Sequence, residues 1–343
     1  MPSVLESLNR ALHQAFADNE NVYLLGEDVL DPYGGAFKVT RGLSSSFPQR
    51  VLTTPISEAG FVGVAAGMAL RGLRPVVEIM FGDFITLIAD QLINHITKFR
   101  WMYNDQVRLP MVLRTPMGGR RGYGPTHSQT LEKLYLGVPG LKVVAPTSFS
   151  WKDEKGSPGD LLYQAIIHSD EPTLFIENKL QYLLPVQDQA DMKDFTLSVD
   201  QKSSAMGFPA YSLSIKGAPH PNLTIAAYGY MAELTKQAAL KLAYENEVFV
   251  DLVIPTQLSP FDTGPIVSSA SQSGALLVVE EGTMSLGWGA EVIARVAEAA
   301  GTQSIQFKRL AAKELPVPCS GPLEVQALPG IDQIISSAMQ MVK

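Results

Sequence analysis

Two short polar islands in apolar surroundings carry the side chains best placed to do chemistry: Thr54-Pro55-Ile56-Ser57-Glu58-Ala59-Gly60 and Gly124-Pro125-Thr126-His127-Ser128-Gln129. Each sets one ionisable group where a strand gives way to a helix. Glu58 follows the strand-like Arg50-Val51-Leu52 and heads a Gly/Ala-rich helical run. With Ser57 as N-cap, the positive helix end favours the carboxylate, while burial among Ile56, Phe61 and Val62 favours the acid. A carboxyl under opposed pressures is suited to accepting or sharing a proton. A helix-start glutamate that only meets the helix dipole is the plainer reading, and spacing alone leaves both open.

His127 ends the glycine-rich run Gly118-Gly119-Arg120-Arg121-Gly122-Tyr123-Gly124, a loop type that lets backbone approach a ligand closely. The helix expected just after it would favour the neutral imidazole, which gives or takes a proton near neutral pH. His13, His95, His168 and His220 have no such companions and read as structural or exposed. There is no His-x-x-x-His, no cysteine pair and no Gly-x-Ser-x-Gly, so no metal site and no serine nucleophile is expected. Neither Gly26-Glu27-Asp28 nor Gly82-Asp83-Phe84 is a phosphate-binding loop.

The elements that position these islands alternate. A helix is expected over 3–18, then strands at 22–25 and 51–54, a helix over 57–70 and a strand at 74–80. A helix from about 84 to 102, a strand at 110–114, a helix over 129–136, a strand at 142–145, a helix over 159–168 and a strand at 173–177 follow. Such alternation marks an α/β fold with a mostly parallel sheet covered by helices. Residues 187–221 dissolve into Asp, Lys, Ser, Gly and Pro and read as a linker or extension, with 195–199 a possible strand inside it. A second alternating unit occupies 222–343, with strands at 223–228, 248–254, 275–280 and 304–309 and helices at 231–245, 288–300 and 331–342. Two domains are thus expected, 1–186 and 222–343. Gly60, Gly63 and Gly67 align on one helix face, which reads as a packing surface within the domain or against another subunit.

The formal net charge of −7 argues against nucleic acid and anionic membrane as partners. The single cysteine, Cys319, excludes an internal disulfide framework and fits a reducing compartment. No spanning apolar run and no secretory signal is read, so the cytoplasm is the expected location.

Taken together, the segments resemble the beta subunit of the thiamine-diphosphate-dependent decarboxylating component of 2-oxo-acid dehydrogenase complexes, a transketolase-like family of the pyruvate dehydrogenase type. The resemblance rests on Leu25-Gly26-Glu27-Asp28-Val29, the stretch from Gly34 to Leu43, the Glu58 island, Arg74 to Met80, Asp90-Gln91-Leu92-Ile93-Asn94, His127-Ser128-Gln129, Val278 to Glu281 and Gly287-Trp288-Gly289-Ala290-Glu291. It implies a pyrimidine-binding domain followed by a transketolase C-terminal domain. It implies that Glu58 hydrogen-bonds a ring nitrogen of the cofactor's aminopyrimidine and sets its tautomer. Phe84 matches the position that stacks on the pyrimidine, Met80 a neighbouring cofactor contact, and His127 the histidine that orients substrate or exchanges protons during acyl transfer. For Met80 a plain core role stands equally open.

The same resemblance implies that the diphosphate and its magnesium are held by a separate alpha subunit bearing a Gly-Asp-Gly motif, which this chain lacks. It points to an α2β2 heterotetramer acting on a 2-oxo acid and passing the acyl group to a lipoyl acyltransferase core. Arg120 and Arg121 are candidates for a substrate carboxylate or the partner chain. Residues 150–159 and 187–221 appear as extensions to the family pattern. They leave open a non-oxidative transferase of a biosynthetic pathway, and a non-catalytic scaffolding paralogue is the third reading.

Overall fold

The computed structural model describes residues 1–200 and 208–342. Its first part carries strands β1 (Val22–Gly26), β2 (Val51–Thr53), β3 (Arg74–Glu78), β4 (Val112–Met117), β5 (Lys142–Val144) and β6 (Thr173–Asn178). Its second part carries β7 (Phe195–Val199), β8 (Ala210–Ile215), β9 (Leu223–Ala227), β10 (Val250–Pro255), β11 (Gln257–Ser259), β12 (Ala275–Thr283) and β13 (Gln306–Ala312). The α-helices are α1 (Val4–Asp18), α2 (Leu43–Ser46), α3 (Glu58–Leu70), α4 (Thr97–Met102) and α5 (Pro158–Ile167), then α6 (Gly229–Asn246), α7 (Gly264–Ser273), α8 (Trp288–Ala300), α9 (Gly321–Ala327) and α10 (Ile331–Met339).

Two sheets result. The first has the order β11-β5-β6-β4-β3-β1-β2 and the second β13-β12-β9-β10-β8-β7. Pairing in the first is parallel except at β11, which crosses from the second half of the chain to lie antiparallel beside β5. Every residue of β4 is buried, as a parallel strand covered on both faces requires. One apolar core runs from Val77 and Leu113 of the first sheet to Ala226 and Val278 of the second and Trp288 of α8, so the two halves share an interior. Helix α1 begins at a capping box, Ser3 with Glu6, and buries Leu8, Leu12 and Phe16.

Beneath the site edge of the first sheet, Arg114 crosslinks three strands. Its Nε and Nη2 donate to Glu177 at 2.8 and 2.6 Å, its Nη1 donates to Glu78, and Tyr182 adds a 2.6 Å bond to Glu177. Burial alone would lower its pKa, yet Glu177 and Glu78 hold it above the ordinary arginine value, so it stays charged.

Three expectations are corrected. The helix expected over 84–102 is a 3-10 segment at Gly82–Ile88, a π segment at Gln91–Ile96 and then α4. The Thr97 hydroxyl donates back to the Ile93 carbonyl, a bond that competes with regular helix. The helix expected over 129–136 shrinks to one 3-10 turn, Glu132–Leu134, because Glu132 turns inward to accept from Tyr228 Oη and the chain then reverses at Gly137 and Gly140, both at positive φ. Within the stretch expected as linker, the strand read at 195–199 is present as β7, and β8, absent from the expected strands, joins it as an antiparallel edge of the second sheet, while residues 201–207 lie outside the described ones. Between Ser150 and Gly159 the chain forms a tight loop closed by a Trp151–Lys155 bridge.

Candidate active site

The sequence-predicted residues follow the carboxyl ends of parallel strands, where α/β sheets place their ligands. Glu27 follows β1, Glu58 lies five residues beyond β2, and Met80 and Phe84 come after β3. The glycine loop ending in His127 leaves β4, and Lys179 follows β6. The edge therefore runs from a pair of carboxyls at one end to an imidazole and an ammonium at the other.

At the first end Glu58 opens α3 and is 6 % exposed. Among the described residues its carboxyl takes no hydrogen bond. The Ser57 hydroxyl makes no capping hydrogen bond to the helix either. Glu27 lies beside it, 7 % exposed, with Oε1 buried and unpartnered. Burial, then the charges of Glu58 and Asp28, push the Glu27 carboxyl above its ordinary range. Two carboxyls thus stand side by side at this end of the edge.

At the other end His127 meets two phenylalanine rings edge-on, with centroids 4.7 Å from Phe81 and 5.3 Å from Phe84. Thr126 Oγ1 lies 2.9 Å from its Nδ1. Phe84 is half-buried, with Phe81 at 5.8 Å. The structure thus joins His127 to Phe84, while Met80 is half-buried two residues beyond β3. No helix starts after His127, so the helix-end argument for a neutral ring does not apply.

The glycine loop has no ladder of its own. Gly118, Arg120, Gly122 and Gly124 all take positive φ. Carboxylates from the second half hold it instead: Gly119 N donates to Glu281 at 2.8 Å, and Arg120 N and Gly122 N donate to Glu324 at 2.7 and 3.1 Å. Asp83 accepts from Gln129 N and Nε2 at 3.2 and 2.9 Å on the far side. Arg120 is consumed within the chain, its Nη2 donating to the Pro329 carbonyl. Arg121 is exposed and lies over the Phe37 and Tyr123 rings at 5.8 and 5.7 Å. Sequence reasoning missed Lys179 and the Glu281 and Glu324 anchors, whose partners lie far away in the chain.

Residues 1–183 match the transketolase pyrimidine-binding domain and residues 215–334 the transketolase C-terminal domain. The chain is 34% identical over 342 residues to pyruvate dehydrogenase E1 component subunit beta-2, mitochondrial, of Oryza sativa subsp. japonica, covering 98% of this chain and 85% of the relative. It belongs to the transketolase-like family of 2-oxo-acid dehydrogenase beta subunits. Identity to the beta subunit of acetoin:2,6-dichlorophenolindophenol oxidoreductase of Bacillus subtilis (strain 168) is 33% over 353 residues, 99% and 97% of the two chains. Identity to the pyruvate dehydrogenase E1 component subunit beta of Rickettsia conorii (strain ATCC VR-613 / Malish 7) is 32% over 341 residues, 99% and 98%. A solved split-gene transketolase described as an inactive beta4 tetramer shares the fold, with a TM-score of 0.73 at 19% identity over 100% and 99% of the chains.

The family is thiamine-diphosphate-dependent, and the residues fit the pyrimidine end of that cofactor. The unpartnered Glu58 carboxyl can meet a ring nitrogen, and the half-buried Phe84 offers an aromatic surface. Among the described residues no group of three or more His, Cys, Asp or Glu stands in a metal-holding arrangement, and no helix is long and apolar enough to cross a membrane.

Proposed function

We propose that this chain is the beta half of a thiamine-diphosphate-dependent 2-oxo-acid dehydrogenase, working with a separate alpha subunit in an α2β2 assembly and delivering the acyl group to a lipoyl carrier. The observation that carries the reading is the buried carboxyl of Glu58, without a hydrogen-bond partner among the described residues, beside the buried Glu27 carboxyl. Thiamine diphosphate, when bound, supplies the electron sink for decarboxylation. The Glu58 carboxyl would share a proton with the aminopyrimidine through a carboxyl oxygen, with the Glu27 carboxyl, raised above its ordinary range, beside it. Phe84 gives the pyrimidine a flat apolar neighbour, with Met80 beside it. His127 orients the 2-oxo acid and exchanges a proton at its imidazole, with Phe81 packed edge-on against the ring.

The diphosphate and its magnesium fall to the alpha subunit, since no Gly-Asp-Gly motif occurs here. The α3 face suits that partner: Gly63 and Gly67 have open space before them, and Ile56 and Val64 are 86 % and 59 % exposed. We place the domain division after Val186, with β7 and β8 built into the second domain, and the protein in the cytoplasm. A scaffolding paralogue would have no use for Glu58, Phe84 and His127 together. A non-oxidative transferase is less favoured, because the relatives named above at 32–34% identity are dehydrogenase or oxidoreductase subunits.

The test is dichlorophenolindophenol reduction by the chain co-expressed with its alpha subunit, given thiamine diphosphate, magnesium and a panel of 2-oxo acids with pyruvate first. Cofactor-dependent turnover that needs both chains supports the reading. A stable, cofactor-loaded assembly inert to every 2-oxo acid speaks for the scaffold.

A further inference from the structure

Lys179 is 1 % exposed and belongs to no step above. Its N–H donates to the Met117 carbonyl at 3.2 Å, extending the β4–β6 pairing by one residue. Its side chain then reaches under the glycine loop that has just left β4. There Nζ donates to the His127 carbonyl and lies 5.3 and 5.6 Å from the ring centroids of Phe81 and Tyr123. Among the described residues no carboxylate comes within ion-pair distance of it, and the His127 carbonyl is its one hydrogen-bond acceptor.

A lysine buried without a paired carboxylate is costly, so its charge should have a use. The loop shows which one. Its first half offers N–H groups, and carboxylates hold them. Farther along, the His127 carbonyl accepts from the Lys179 ammonium, so there a cation holds it. Phe81 touches both the ammonium and the imidazole, so the two are joined through one ring as well as through the backbone.

We propose that Lys179 is the positioning residue for His127, its ammonium fixing the His127 carbonyl and the Phe81 and Tyr123 rings, and hence the placement of the imidazole against Phe84. The mechanistic value of this rests on His127 serving the reaction proposed above, whereas the coupling of Lys179 to His127 does not. Burial lowers the Lys179 pKa to about 8, against the pull of Asp83 and Glu281, with Arg121 pushing the same way as burial and Glu324 opposing. Deprotonation removes the cation–π attraction to both rings and weakens the bond to the carbonyl.

The test is histidine-selective NMR on the full chain between about pH 6 and 9.5, with His127 assigned by H127Q and the other four histidines as internal controls. The proposal expects the His127 ring signals to show a step centred near pH 8 in the wild type that is absent in K179R, because arginine keeps its charge throughout. A merely structural lysine would leave no such step. His127 signals without that step, or a step that persists in K179R, overturn the proposal. Wild type and K179R both keep a long cation at the position, so the comparison does not depend on a variant that empties it. Loss of turnover elsewhere would bear on the proposed reaction and leave this result unaffected.

Discussion

Replacing Glu280 by glutamine should change how stability depends on pH. Glu280 sits near the end of β12, fully buried, with Oε1 accepting from Gly289 N at 3.1 Å and Oε2 unpartnered. Burial, then the neighbouring Glu132, raise its pKa from 4.5 to about 8. A carboxyl raised on folding stabilises fully below its unfolded pKa, and that contribution is lost as pH rises toward the folded one. At about 1.36 kcal/mol for each pH unit between 4.5 and about 8, the loss is at most about 5 kcal/mol, and about 3 kcal/mol of it has occurred by pH 7. Glutamine keeps the acceptor for Gly289 and has no proton to lose. Thermal unfolding of wild type and E280Q at about pH 5, 7 and 9 reads the effect of Glu280 together with its coupling to Glu132, since groups that do not interact with Glu280 cancel in the difference. At about 2–4 °C for each kcal/mol, E280Q should gain on the order of 10 °C relative to wild type between pH 5 and 9. Parallel curves, separated by a constant interval at all three pH values, would refute the reasoning.

Three further outcomes follow from the same geometry. R114M strands Glu78 and Glu177 as buried charges and should cost about 3–5 kcal/mol, read as a lowered unfolding midpoint. G118A forces a non-glycine residue to φ +94 and drives its Cβ into the Asn178 amide, which donates to Glu281 at 3.1 Å. It should cost about 1–3 kcal/mol and weaken thiamine diphosphate binding by the assembly, measured by unfolding and calorimetric titration. V64E, on the exposed α3 face, should leave the unfolding midpoint of the chain within about 0.5 kcal/mol of wild type and abolish co-elution with the alpha subunit on size exclusion.

Much of the fold was legible because parallel strands are apolar throughout. Val76, Val77, Leu113 and Leu174 lie in runs that can only be buried, and Ser3 with Glu6 spells out a helix start. Edge strands gave a weaker signal. In β7 only Phe195 is fully buried while Thr196 and Ser198 face out, an alternation that reads as a strand at 195–199, whereas β8 at Ala210–Ile215 mixes Ser and Tyr and reads as linker. The missing helix after His127 was hidden because the partner that turns Glu132 inward, Tyr228, lies 96 residues away. In the site, Glu58 and His127 stood out by position, each a lone ionisable group after a strand. Lys179 did not, since its meaning comes from rings and a carbonyl on other loops. The same holds for Glu27, whose pairing with Glu58 depends on β1 lying between β2 and β3.

The central claim is that the Glu58 carboxyl of this chain moves a proton in a site shared with another chain. Turnover of the two-chain assembly carrying E58Q, at saturating thiamine diphosphate and 2-oxo acid, tests it most directly. The account predicts an assembly that still forms and binds cofactor but loses at least about 100-fold in kcat. An E58Q assembly within a few-fold of wild type would contradict it.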